Sequence, residues 1–291
     1  MRRPTALVAL HSAVALFGFA GLFGRWIELA PSGIVLGRTL VAAVALAAVA
    51  LASGGLSRPR AGLAANGAIL AIHWWTFFAA IRSGGVAIGL IGFASFPLFT
   101  LALERATGQR VASWRDGAVA ALVVAGLLFV APRLDPHDAV VRGLGWGVVS
   151  GATFAWLAVR NRRYAADHSP LAIALWQNAF AAACLAPWVL VAPPDGAIDA
   201  RTIGLLLALG LLCTALAHTL FIASLASVSA HVASVAAALE PVYGIALAAL
   251  LLAERPTGAQ IAGCALLVAA AVLAARGATS SSSPDDAARM R

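Results

Sequence analysis

Ten apolar stretches of about 20 residues each follow one another along this chain, joined only by short polar connections. They run over roughly 5–24, 32–52, 61–81, 84–103, 114–132, 142–160, 170–190, 202–222, 230–252 and 256–275. In hydrocarbon a segment must satisfy its own backbone polar groups, so only helices or a closed barrel can span a bilayer. Barrel strands alternate apolar and polar residues, whereas Leu40 to Leu51 and Ile261 to Ala275 are continuously apolar. The expected fold class is therefore all-α integral membrane, with ten transmembrane helices. Composition agrees, since 62% hydrophobic and 11% charged residues leave too little polar surface for a water-soluble domain. The first apolar run continues to Phe23 without a small-residue cleavage site and reads as a retained helix rather than a signal peptide.

The second half repeats the first. A gapless shift of 144 residues places Phe77 on Phe221 and Pro97 on Pro241, and sets the helix beginning near Trp114 on the one beginning near Gly258. Each unit holds five spans, and an odd unit duplicated in tandem inserts its second copy upside down. All 20 basic residues are arginine. With the N-terminus in the cytoplasm, thirteen fall in inside segments and six in outside ones, as the positive-inside rule requires, with Arg38 left within a span. Charge also changes sides between the copies: Arg58 and Arg60 correspond to a connection carrying Asp195 and Asp199. The expected organisation is 1–135 as a first five-helix repeat, 136–275 as its inverted copy and 276–291 as a disordered cytoplasmic tail. The net charge of +8 is then an orientation signal, and the partner it calls for is a lipid bilayer, not nucleic acid.

Chemistry concentrates at a few positions inside the spans. Pro97 and Pro241 occupy matched places, and matched interruptions are the best sequence pointer to a transporter's central site; both are expected to kink their helices or gate. Glu240, just before Pro241, is the one acidic residue at the centre of a span, where a charge costs about 3 kcal/mol unless it faces a polar interior. Its mate is Phe96. His73 and His218 lie about a turn from the paired Phe77 and Phe221, which makes a polar and aromatic lining. Phe93, Trp156 and Tyr243 complete the expected substrate-binding set, the aromatics supplying flat apolar walls. Arg38 aligns with Gln177 when Pro31 is set on Pro170; it reads as snorkelling or binding backbone carbonyls at a helix end, in preference to gripping a carboxylate. Cys184, Cys213 and Cys264 lie in spans without ligand spacing. Neither a metal site nor a cofactor is expected, and no catalytic motif is present.

With ten spans in two halves, the segment Ala237-Ala238-Leu239-Glu240-Pro241-Val242-Tyr243 and the turn Leu251-Leu252-Ala253-Glu254-Arg255-Pro256, the chain resembles the EamA-type branch of the drug/metabolite transporter superfamily over residues 5–275. The first half departs from the pattern, with Phe96-Pro97 in place of an acidic-Pro pair and Gln109-Arg110-Val111 in place of a Glu-Arg turn. The resemblance implies that helices 1, 3, 4, 6, 8 and 9 line a central cavity, that helices 5 and 10 support it, and that small metabolites leave the cell by alternating access. Within that branch the chain is similar to bacterial exporters of aromatic amino acids. This implies an amino-acid cargo and an inner-membrane location; the arginine count sets both termini in the cytoplasm, and a monomer is the expected state. A small-solute channel or an exporter of nucleosides, sugars or drugs remains the alternative.

Overall fold

Proline and glycine place many of the helix boundaries. Helix α1 covers Arg3–Trp26, and α2 (Pro31–Ala52) starts on a proline, whose missing N–H costs nothing in a first turn. Then follow α3 (Ala61–Phe93), α4 (Phe96–Ala106), α5 (Trp114–Val130), α6 (Ala139–Tyr164) and α7 (Pro170–Val191). Helix α8 (Ala200–Gly210) passes through a π-helical turn, Leu211–Leu216, into α9 (Ala217–Leu225). The last three are α10 (Ala230–Ala237), α11 (Glu240–Leu251) and α12 (Gly258–Thr279). Polar side chains cap several starts: Ser169 accepts from Ala172 N–H, Asp199 accepts from Thr202 N–H, and Thr257 and Gln260 bond each other's backbone reciprocally.

The computed structural model of the protein describes residues 3–56, 58–108, 113–130, 135, 137–193 and 195–279, with 3, 230, 231, 234, 235 and 274–279 described for backbone only. Among these residues there is no strand. Gln109-Arg110-Val111 lies outside them, as does the tail beyond Thr279, up to which α12 continues.

Gly85 decides the course of the first half. Its φ of +86° is open to glycine at no steric cost, and the chain reverses there. A Cβ placed on Gly89 would stand 3.1 Å from the Ile81 nitrogen, whereas eight residues of unbroken helix span about 12 Å. Helix α3 is thus a hairpin with arms 61–84 and 86–93. Five helical stretches are long and apolar enough to cross a membrane: Pro4–Trp26, Pro31–Ala52, Ala61–Ala106, Pro170–Val191 and Ala200–Leu225. The third, 46 residues long, contains the reversal, and Glu240–Leu251 and Gly258–Leu273 are shorter apolar helices.

The helices pack with α3 along α6, α2 along α7 and α5 along α12. Their outward faces are apolar, with Val44, Trp188, Leu190 and Leu250 all exposed. Surfaces of that extent need lipid, not water, to cover them, which is the mark of a multi-pass membrane protein. The largest buried cluster fills the centre, where α1, α3, α6 and α9 meet.

Candidate functional site

Two helix breaks frame that centre. Pro97 cannot bond the carbonyl four residues back, on Phe93, and its ring crowds it; α3 ends at Phe93 and the chain restarts as α4 at Phe96. Pro241 has the same relation to Ala237, the last residue of α10, and α11 restarts at Glu240. The carbonyls next to each step are still satisfied. Gly92 accepts the Ser95 N–H at 3.2 Å and its hydroxyl at 2.8 Å, and Ala236 accepts the Leu239 N–H at 3.0 Å. The expected kinks are therefore full interruptions, each a two-residue step.

Between the steps lies a closed set of rings. Phe77, Phe93, Phe96 and Phe221 are all buried, joined by Phe17 and Phe154. Phe154 is the hub, 5.0 Å from Phe96, 5.1 Å from Phe221 and 5.5 Å from Phe93 between centroids, distances at which ring pairs attract. His73 stacks on Phe154 at 4.9 Å. Its Nδ1–H donates to the Ser150 carbonyl at 3.0 Å, and the Ser150 hydroxyl donates back to the His73 carbonyl at 3.2 Å, tying α3 to α6.

Trp156 and Tyr243 do not join this set; they are 42% and 37% exposed. Two residues along a helix is a turn of about 200°, so Phe154 facing the centre sends Trp156 outward, where the Arg160 guanidinium lies 5.9 Å from its ring. The inward aromatic of α6 is Phe154.

Arg38 departs furthest from its sequence reading. It does not snorkel: its exposure is 0%. It does bind a carbonyl, yet in mid-span instead of at a helix end. Nη2 donates to Cys213 O at 3.0 Å and Nε to the Thr214 hydroxyl at 2.9 Å, both within the π-helical turn. The Thr214 hydroxyl in turn donates to the Leu209 carbonyl at 2.8 Å. Trp74 covers one face of the guanidinium, 3.5 Å from ring centroid to Cζ, a cation–π contact that holds the group in place. One nitrogen, Nη1, has no partner.

Other polar atoms nearby are also unpaired. Glu240 is 2% exposed and its Oε2 has no hydrogen-bond partner. Asn178 Nδ2 donates to Ala174 O at 2.8 Å and to His218 Nδ1 at 3.3 Å. In the neutral ring the His218 proton therefore sits on Nε2, which is buried without a partner, as are Asn178 Oδ1 and Trp74 Nε1. Arg38 interacts electrostatically with Glu240, His73 and His218. It makes no ion pair with Glu240: among the described residues the pair within 4.0 Å is Arg25 with Glu254.

The two ends of the bundle differ in kind. At one end Asn66, Asn161 and Gln177, all buried, form a hydrogen-bonded group across α3, α6 and α7 that Arg160 and Tyr164 extend. At the other a recess of about 340 Å³ is lined by Arg25, Arg82, Gly85, Glu254 and Arg255. There Glu254 pairs with Arg25 at 3.5 Å and accepts the Val86 N–H at 3.3 Å, just past the reversal.

Of the residues singled out in the sequence, His73, Phe77, Phe93, Phe96, His218, Phe221 and Glu240 lie in the buried interior between the two breaks, and Pro97 and Pro241 form the breaks. Sequence reasoning passed over Ser150, Asn178 and Thr214. Their signal was available: each is a polar residue inside an apolar run, and such residues in membranes bond across helices.

Residues 141–276 match the EamA-like transporter family. The match falls on the half that keeps the Glu240-Pro241 step. An uncharacterized transporter of Archaeoglobus fulgidus is 26% identical over 201 residues, covering 69% of this chain and 71% of that protein. The fold is shared with a solved crystal structure at a TM-score of 0.72 and 22% identity, over 94% of this chain and 97% of the other. Both the matching family and this relative are described as transporters.

Proposed function

We propose that, with an EamA-like second half as its starting point, this protein is a ten-span carrier built from two inverted five-helix repeats. It exports small metabolites, aromatic and other amino acids first among them, by alternating access through the site between the two helix breaks.

Reciprocal contacts support the repeat. A Cβ on Gly126 would stand 3.1 Å from the Gly263 oxygen, and one on Gly263 would stand 2.9 Å from the Gly126 oxygen. Such mutual contact is the signature of a two-fold relation. The same holds off the axis: Gly210 packs on the Arg38 carbonyl as Gly67 packs on that of Gln177, and Gly18 meets Glu240 as Gly151 meets Phe96. Alternation of the spans is supported by which connections meet. Arg25, Gly85 and Glu254 share one end, and Gly62 meets Tyr164 at the other. The arginine bias then puts both termini in the cytoplasm of a bacterial inner-membrane protein.

The observation that carries the transport reading is the buried centre itself, where matched breaks, stacked rings and unpaired polar atoms converge. Discontinuous helices let a carrier expose backbone groups to a solute at mid-membrane. The rings suit flat apolar side chains, and a centre closed by packed phenyl groups suits an occluded carrier better than a standing pore. The test is a competition panel in proteoliposomes with aromatic, branched and small polar amino acids beside nucleosides and sugars. Saturable counterflow of aromatic amino acids without an imposed pH gradient is the expected result. Failure of those amino acids to exit or compete would remove the cargo assignment, and unsaturable flux would favour a channel.

A further inference from the structure

We propose that Arg38 is the carboxylate anchor of the central site and that, together with Glu240, it restricts the cargo to molecules bearing both a carboxylate and an ammonium group. The inference rests on the transport reading above and assigns residues to the two charged ends of the amino-acid cargo it names.

The unpaired atoms divide by chemistry. Arg38 Nη1, Trp74 Nε1 and His218 Nε2 are donors, while Glu240 Oε2 and Asn178 Oδ1 are acceptors. All five belong to side chains at most 3% exposed. Buried polar groups are almost always paired, so side chains left without partners ask for a ligand. The donors, a guanidinium among them, suit a carboxylate, and the Glu240 carboxyl suits an ammonium.

Arg38 is held so that it can do little else. Its Nε and Nη2 are committed to the π-helical turn and Trp74 covers a face. The Nη1 end of the fork is therefore the part that remains open, and the guanidinium cannot rotate to hide it. Glu240 is an acid buried in the same interior, and it makes no ion pair with Arg38. A buried guanidinium and a buried carboxyl that do not meet each keep an atom without a partner. A zwitterion settles both at once, carboxylate on Arg38 and ammonium on Glu240, and leaves its side chain to the ring cluster. A simple amine or a simple acid can settle only one.

The sequence places these residues on different halves, Arg38 in the first and Glu240 in the second. Their repeat mates are Gln177 and Phe96, which are uncharged. The charged pair thus arises once, although the backbone frame arises twice.

The full-length protein, reconstituted in liposomes, tests this with analogues that differ by one charge. Phenylalanine, phenylalaninamide and 3-phenylpropionate are compared as competitors of counterflow, with alanine, alaninamide and propionate as a second series. In the wild type each lost charge should weaken competition at least about tenfold, the value of a buried charge-assisted hydrogen bond. Arg38→Gln should abolish discrimination between amino acid and amide while keeping the penalty on the acid, and Glu240→Gln should do the reverse. Arg38→Lys, which keeps the charge and loses the fork, should keep part of the discrimination. A wild type that treats the three compounds of both series alike overturns the proposal even if no variant folds. So does an Arg38→Gln protein that weakens all three in equal ratio. Charge discrimination in the alanine series without phenylalanine transport would refute the aromatic cargo and leave the anchor standing. Transport of sugars or nucleosides alone would refute both.

Discussion

In the first half of the chain the helix breaks after Phe93 and restarts on an aromatic ring; in the second it breaks after Ala237 and restarts on a carboxyl. The backbone device is the same in both places, a proline that denies the preceding turn its hydrogen bond. The packing is matched too, since each restart lies against a glycine: Gly151 against Phe96 and Gly18 against Glu240. Only the side chain at the step differs. In the proposed carrier, movement calls for a break in each half, whereas recognition calls for each charge once. A second carboxyl at Phe96 would sit among rings with nothing to pair it.

Removing the ring on which the first break rests should have the largest effect. Phe154→Ala deletes the hub of the cluster and should cost about 3–5 kcal/mol, seen as a large drop in the melting midpoint of the detergent-purified protein. Trp156→Ala, two residues on and partly exposed, should cost under about 1 kcal/mol. Equal losses would mean that the first break does not lean on this centre.

Making the two steps alike comes next. Phe96→Glu should destabilise by about 3 kcal/mol, the price of an unpaired charge at mid-membrane, whereas Glu240→Gln should keep its melting midpoint and lose amino-acid counterflow at least about tenfold. A stable Phe96→Glu protein would show that the first half also offers a partner for a carboxyl.

The glycines test whether both breaks are packed alike. A Cβ on Gly151 would stand 2.8 Å from the Phe93 oxygen, and one on Gly18 3.0 Å from the Glu240 oxygen; backbone cannot yield as a side chain does. Gly151→Val and Gly18→Val should each cost about 1–3 kcal/mol, measured by thermal unfolding monitored by size exclusion. A cost at one glycine without the other would break the matched packing.

The smallest effect is expected at the recess end. Glu254, beyond α11, reaches Val86 on the arm that leads to the first break, and so joins the two halves. Its partner Arg25 has a half-exposed side chain, and Glu254→Gln should cost no more than about 1 kcal/mol. The loss should shrink as salt rises, which a melting series in sodium chloride would show.

Much of this arrangement is legible in the sequence. The proline pair, the inversion of charge between Arg58 and Asp195, and the oddness of Glu240 against Phe96 are properties of the chain as text. The choice of Phe154 over Trp156 was legible only through Ser150, one turn earlier on the same face of α6, because the two aromatics are equally apolar and lipid is as apolar as the core. The role of Arg38 was hidden for a related reason. Depth in a span can be counted, but the carbonyl it binds becomes available only because α8 and α9 are joined by a π-helical turn 175 residues away in the chain.

What the amino-acid sequence determined by itself is what the bilayer imposes locally: apolar helices long enough to cross it, and interruptions where proline removes a bond. What only the tertiary structure decided is which side chains meet. In a membrane the lipid is as apolar as the core, so no hydrophobic gradient along the sequence tells one face of a helix from the other. Close approach at glycines and the pairing of buried polar atoms make that decision, and both depend on residues from opposite halves of the chain.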